Sequence, residues 1–176
     1  LIAGAAPLTE LSAAAADSKA RILPARISDV PVILELIKAL ADFEKLSHLV
    51  VADEDLLREA LFGARPKAEV VLAWHEGRPV GFALYFHNFS TFLGRHGLYL
   101  EDLFVRPEAR GLGIGKALLM YVGAIAKERN CGRYEWAVLD WNEHAIRFYR
   151  SLGAQPLDDW TIMRLTGQAL QDITDK

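Results

Sequence analysis

The sequence predicts an α/β (α+β) fold, with a mixed central sheet of about seven strands flanked by about four helices. Three observations carry this prediction. Short apolar runs suited to strands alternate with stripes of apolar residues at helical spacing along the chain. In the second half, helical stripes fall between strand runs, a connection that makes neighbouring strands parallel. A strongly apolar run over residues 97–105 leads into a glycine-rich turn that opens an amphipathic helix.

The elements follow in order. Residues 1–19 are Ala-rich, lack a pattern and read as an arm, leaving residues 20–176 as one domain. Residues 20–27 read as a strand, after which Ser28 is placed to cap a helix carrying Val30, Ile33, Leu34, Ile37, Leu40 and Ala41. A second helix spans 53–62 and Gly63 ends it. Strands over 69–75 and 79–87 flank Glu76-Gly77-Arg78-Pro79, a tight hairpin turn. The 97–105 strand precedes a helix bearing Ile114, Ala117, Leu118, Tyr121, Val122, Ile125 and Ala126. Residues 133–139 form a further strand. Asn142 caps a helix with Ala145, Phe148, Tyr149 and Leu152, which Gly153 stops. Residues 155–165 are expected to make a final hairpin.

The bulk composition narrows the class. The chain has 176 residues, 52% hydrophobic and 24% charged, as soluble globular domains do. A net charge of −3 argues against nucleic acid, whose phosphates need a basic face. No apolar run reaches the roughly 18 residues of a membrane span, and the first residues lack a basic stretch of the secretory kind. The expected setting is cytoplasmic. A single cysteine, Cys131, excludes a disulfide framework and a Cys-rich zinc site. The histidines show no metal-ligand spacing along the chain, so no metal is expected.

The segment Arg110-Gly111-Leu112-Gly113-Ile114-Gly115-Lys116 joins a strand to a helix N-terminus. Glycines there permit left-handed backbone and close approach of a ligand. The first-turn N–H groups and the helix dipole suit a pyrophosphate. The spacing is not that of a P-loop, because Ala117 stands where a hydroxyl is needed, nor that of the dinucleotide fingerprint.

Arg110-Gly111-Leu112-Gly113-Ile114-Gly115 resembles the R/Q-x-x-G-x-G/A signature of the GNAT acetyltransferases. Tyr99-Leu100-Glu101-Asp102-Leu103-Phe104-Val105 and the stretch from Asp140 to Tyr149 resemble the diamine acetyltransferase branch, and Phe43-Glu44 falls where that branch often has Tyr-Glu. Phe43 departs from it by lacking the phenolic hydroxyl. The resemblance covers most of residues 26–165. It implies a sheet splayed at the cofactor site, near Val105 and Leu139, with acetyl-CoA in the split. It also implies a homodimer and transfer of acetyl to a primary amine of a small diamine, polyamine or lysine/ornithine-like substrate. On this resemblance the cofactor contacts are Leu103, Phe104, Val105, Arg110, Gly111, Leu112, Gly113, Ile114, Gly115, Lys116, Asn142, Ala145 and Tyr149, with Arg106 adding charge.

Amine chemistry assigns further roles. At neutral pH fewer than about one alkylamine in a thousand is unprotonated, a penalty of about 4–5 kcal/mol that a base can help remove. Glu101, a charge in the middle of a strand, is the expected base, directly or through water. Tyr149 resembles the family tyrosine that donates a proton or hydrogen bond to the leaving sulfur, which implies that role here. Phe43, Glu44, Glu101, Asp102 and Glu135 are expected to face the substrate. Plainer readings stand beside these: Tyr149 as a core aromatic, Asn142 as a cap alone, and the acidic residues as surface charges or ion-pair partners. The alternatives for the whole chain are a GNAT acting on a protein N-terminus or an aminoglycoside, and a non-catalytic acyl-CoA-binding module.

Overall fold

Five strands form one sheet in chain order in the computed structural model, which describes residues 20–174. They are β1 (Arg21–Pro24), β2 (Glu69–His75), β3 (Arg78–Ser90), β4 (Arg95–Val105) and β5 (Tyr134–Trp136). The first four pair antiparallel, and β5 joins β4 in parallel. The expected arm of residues 1–19 lies outside the described residues. The chain divides into two compact units, one ending at Ala137 and the other beginning at Val138.

In the first unit the 20–27 strand is shortened to β1, because Ile27–Asp29 tighten into a 3-10 turn closed by the Asp29 carboxylate on the Arg26 N–H at 2.8 Å. Helix α1 (Val30–Phe43) therefore follows Asp29 rather than Ser28, with Pro31 in its first turn, where its missing N–H costs nothing. Helix α2 (Glu54–Phe62) is capped by Asp53, whose carboxylate accepts the Leu56 N–H at 2.8 Å. Replacing such a cap by Ala costs about 1 kcal/mol. The β2–β3 hairpin turns through Glu76 and Gly77, with φ of 50° and 75°, the left-handed pair that matches the strands' twist.

Ile33 and Leu36 of α1, Leu61 of α2 and Val70, Leu72, Phe82 and Phe104 of the sheet form one core cluster. Truncating a fully buried ring such as Phe82 costs about 3–5 kcal/mol. Helix α3 (Ile114–Glu128) buries Ala117, Leu118, Tyr121, Val122 and Ile125, the stripe its spacing predicts. Gly115 of α3 faces Val105 and Leu103, so α3 packs on the sheet face opposite to that of Phe104.

Strand β4 has an irregularity that sets up the site. Leu100 stands opposite Tyr85 and Asp102 opposite Leu84, so Glu101 is an extra residue, a β-bulge. β5 accompanies β4 only from Leu98 to Leu100. Beyond Leu100, no strand of the described residues pairs with that edge of β4.

The second unit contains α4 (Glu143–Ser151) and α5 (Gly167–Gln171). Asn142 caps α4, accepting the Ala145 N–H at 3.3 Å, and Gly153 ends it with φ of 90°. Two expectations are corrected. The 133–139 strand is limited to β5, and residues 155–165 contain no strand, so the described residues form a sheet of five strands rather than about seven. The tail carries Pro156, which offers no ladder donor, and Leu157 accepts the Trp160 N–H at 3.1 Å in a turn. A lone hairpin that joins no sheet is marginal in water.

Candidate active site

The open edge of β4 and the glycine turn are the two halves of the site in the first unit. Along β4 the direction of the amides alternates. Leu98 donates its N–H to Arg133 O at 3.0 Å on the β5 side, whereas Arg106 donates to Val80 O at 2.8 Å on the β3 side. Without the bulge, the even-numbered residues would all point one way. The extra residue Glu101 reverses the phase, so the N–H groups of Leu103 and Val105 turn to the open edge. The Val105 carbonyl on that edge accepts the Arg110 Nε–H at 3.0 Å.

The turn after β4 is a 3-10 segment, Pro107–Ala109, then the glycines. Gly111 and Gly113 have φ of 77° and 75°, which only glycine adopts without strain. A Cβ built on either would meet no atom within 4 Å. Gly113 begins α3, and its carbonyl accepts the first intrahelical bond, from Ala117 at 3.0 Å. The N–H groups of Ile114, Gly115 and Lys116 therefore lack partners within the helix. Open space, first-turn donors and an unpaired strand edge fit a pantetheine arm and a pyrophosphate. Leu112 is half-buried in the turn, while Ile114 is buried and offers the site only its amide.

Several predicted cofactor contacts are otherwise engaged. Phe104 lies in the core cluster, and its backbone is paired to Phe82, so it spaces Leu103 from Val105. Arg106 is ion-paired with Glu35 at 2.7 Å. The Arg110 guanidinium lies over the Phe43 ring at 4.6 Å and near Phe104 at 5.7 Å. Phe43 thus stacks on the signature arginine, a role its sequence position did not suggest. Lys116 is exposed at the first turn of α3.

The carboxylates gather at the bulge. Burial, then the charges of Glu101 and Glu44, push the Asp102 carboxyl up to about 6. Burial also raises Glu44, at the C-terminus of α1. Glu101 is exposed. Glu135 is not one of this group: it is ion-paired with Arg133 at 2.8 Å and accepts from Asn88 at 2.8 Å. In the second unit, burial raises the Tyr149 phenol, which therefore keeps its proton at neutral pH. The ring is half-buried on α4 beside Phe148, with centroids 5.5 Å apart. Because the Asn142 side-chain oxygen and the Ala145 N–H satisfy each other in the cap, Asn142 has its amide NH₂ left as a donor.

A separate cavity of 730 Å³ is lined by residues including Glu69, Tyr85, His87, Tyr121 and Arg129, and by none of the predicted site residues.

An unpaired strand edge beside a glycine-opened helix offers backbone donors to an extended, phosphate-bearing ligand. The chain belongs to the GNAT acetyltransferase family, whose family model matches residues 35–154. It is an acyltransferase that uses acetyl-CoA. It is 40% identical to the thialysine N-epsilon-acetyltransferase of Mus musculus over 89% of this chain and 98% of the relative. It is 36% identical to the L-ornithine N5-acetyltransferase of Arabidopsis thaliana over 87% of each. Among solved structures it resembles an integron cassette protein from the V. cholerae mobile metagenome, with TM-score 0.72 and 26% identity over 90% of this chain and 99% of the other. No helix of the described residues is long and apolar enough to cross a membrane.

Proposed function

We propose that this acetyltransferase acts on the primary amine of a small diamine, polyamine or lysine/ornithine-like substrate. The observation that carries this reading is the acidic group of Glu44, Glu101 and Asp102 at the β4 bulge. The names and identities of the thialysine and ornithine acetyltransferases support it. Three carboxylates suit a substrate with two positive charges, one of which must be removed.

Acetyl-CoA supplies an acetyl group on a thioester, whose sulfur leaves as the amine attacks. The chain's residues divide the remaining work. Glu101 takes a proton from the substrate ammonium, directly or through one water, while Asp102 and Glu44 hold the second cation. A bound cation draws the Asp102 carboxyl toward its ionised form. The N–H groups of Leu103 and Val105 hold the pantetheine arm and polarise the thioester carbonyl. Gly111, Gly113 and the first-turn amides of α3 receive the pyrophosphate. Tyr149 donates its proton or a hydrogen bond to the departing sulfur, and Asn142 adds a donor. The reading includes a cytoplasmic homodimer.

Release of CoA thiol across an amine panel tests the substrate class. Thialysine, ornithine, lysine and short diamines are expected to exceed monoamines of equal length by at least about tenfold in kcat/KM. Faster turnover of peptide N-termini or aminoglycosides than of every diamine would refute the assignment, and acetyl-CoA binding without turnover of any amine would refute catalysis.

A further inference from the structure

Away from the acidic group, three metal-ligand side chains of the first unit meet although nothing in their chain spacing announces it. His87 of β3 stands opposite Leu98, and Phe89 opposite His96 of β4, so the two histidines are diagonal neighbours on one sheet face. Their rings lie edge to face with centroids 5.1 Å apart. Cys131 reaches them from the end of α3. There Asn130 adopts φ of 54°, and Cys131 donates its N–H to Ala126 O at 2.9 Å, a left-handed helix cap. The next amide, Gly132 N–H, donates to His96 O at 2.9 Å and ties this cap to β4. A ligand atom from each of His87, His96 and Cys131 lies within 4.8 Å of the others.

A second contact orients the cluster. His96 Nε2 lies 2.9 Å from Arg129 O. A carbonyl only accepts, so Nε2 holds the proton and the other ring nitrogen keeps its lone pair. Metal-binding histidines are commonly fixed in this way, by donating one ring N–H to a backbone carbonyl. The Arg129 and Arg95 charges near Cys131 oppose a cation; the Arg129 guanidinium is paired with the Glu69 carboxylate, one contact being 2.8 Å, and Arg95 donates to the Asn130 side-chain oxygen at 3.2 Å. His87 is exposed and lines the 730 Å³ cavity, which provides an entry path.

We propose that His87, His96 and Cys131 bind one zinc-class divalent ion, leaving a fourth position to water. Two imidazoles and a thiolate select zinc or cobalt over magnesium or calcium. Bonds of about 2.0–2.3 Å in a tetrahedral site bring the donors to roughly 3.3–3.8 Å from one another, so the side chains close in by rotation about χ1. Binding displaces one thiol proton to solvent as the Sγ–metal bond forms. The site lies apart from the acetyl-transfer residues and does not depend on the substrate reading.

The test uses the full, tag-free chain after chelator dialysis. Cobalt(II) is titrated while thiolate-to-metal and ligand-field absorption is recorded, and zinc is then added. One equivalent of cobalt is expected to bind with a thiolate band, and zinc to bleach it, with magnesium inert. Cys131→Ser is expected to abolish the band, and His87→Ala and His96→Ala each to weaken zinc binding by at least about tenfold in calorimetry. Circular dichroism verifies the fold of each variant, and the exposed His87 is the least disruptive position. Absence of the band in the parent overturns the site. So does zinc affinity within about threefold of the parent in Cys131→Ser or His87→Ala.

Discussion

Asp102 connects burial to pH in a measurable way. Its carboxyl is raised from 3.8 to about 6, so the folded chain holds this proton more tightly than the unfolded chain. The group carries no penalty below the unfolded value. Stability is lost as pH rises from there through about 6, by on the order of 2–3 kcal/mol. Asp102→Asn is therefore expected to melt higher than the parent near pH 7.5 and to match it near pH 4; a pH-independent gap would show normal titration. Glu101 and Tyr149 serve different steps of the proposed reaction, and their pH profiles should differ. Glu101→Gln is expected to lose more than about tenfold in kcat/KM at neutral pH and to recover by about pH 10, where the amine is already neutral. Tyr149→Phe is expected to keep its defect at high pH, because the sulfur still needs a donor. A Glu101→Gln rate within about threefold of the parent throughout would remove Glu101 as base.

At the scale of elements, the glycine turn separates conformational need from ordinary packing. Gly113 has φ of 75° and opens α3, whereas a Cβ at Gly115 would sit at 3.8 Å from Val105, an ordinary contact. Gly113→Val pays about 1–2 kcal/mol of backbone strain and places methyl groups in the open space over the turn. Calorimetry is expected to show acetyl-CoA affinity falling more than about tenfold in Gly113→Val and staying within about threefold in Gly115→Ala. Equal affinities in both would take the turn out of the cofactor site. This turn was readable in the sequence because its glycines, strand and amphipathic helix are contiguous. The bulge was not: Glu101 is marked in the sequence only as a charge within an apolar strand, and its extra place is defined by pairing with Leu84 and Tyr85 of another strand. The fates of Glu135 and Arg106 depend likewise on distant partners, Asn88 for the first, beside its near neighbour Arg133, and Glu35 for the second.

For the whole molecule, helices α1 to α4 and the β2–β3 hairpin were legible because each rests on local periodicity and local turns. The tail was misread for the same reason: alternating apolar residues resemble a strand, but a strand exists only where an edge receives it. Trp160, Ile162 and Met163 are instead 75%, 73% and 86% exposed. A run of exposed apolar side chains is what the proposed homodimer would cover. Sedimentation at micromolar concentration is expected to give twice the 19.6 kDa chain mass, and Trp160→Glu with Met163→Glu to give the monomer. A parent that sediments as a monomer would refute the assembly.

The bulge also governs which sequence changes this site can survive. Because one surplus residue shifts the phase of everything after it, β4 behaves like a text with a frameshift in the middle. A substitution alters one letter and leaves the frame intact. Loss of a single residue between Leu98 and Leu103, whichever residue it is, would return the Leu103 and Val105 amides toward β3 and leave the open edge without its donors. For the site, the number of residues in this stretch therefore matters more than which residues they are.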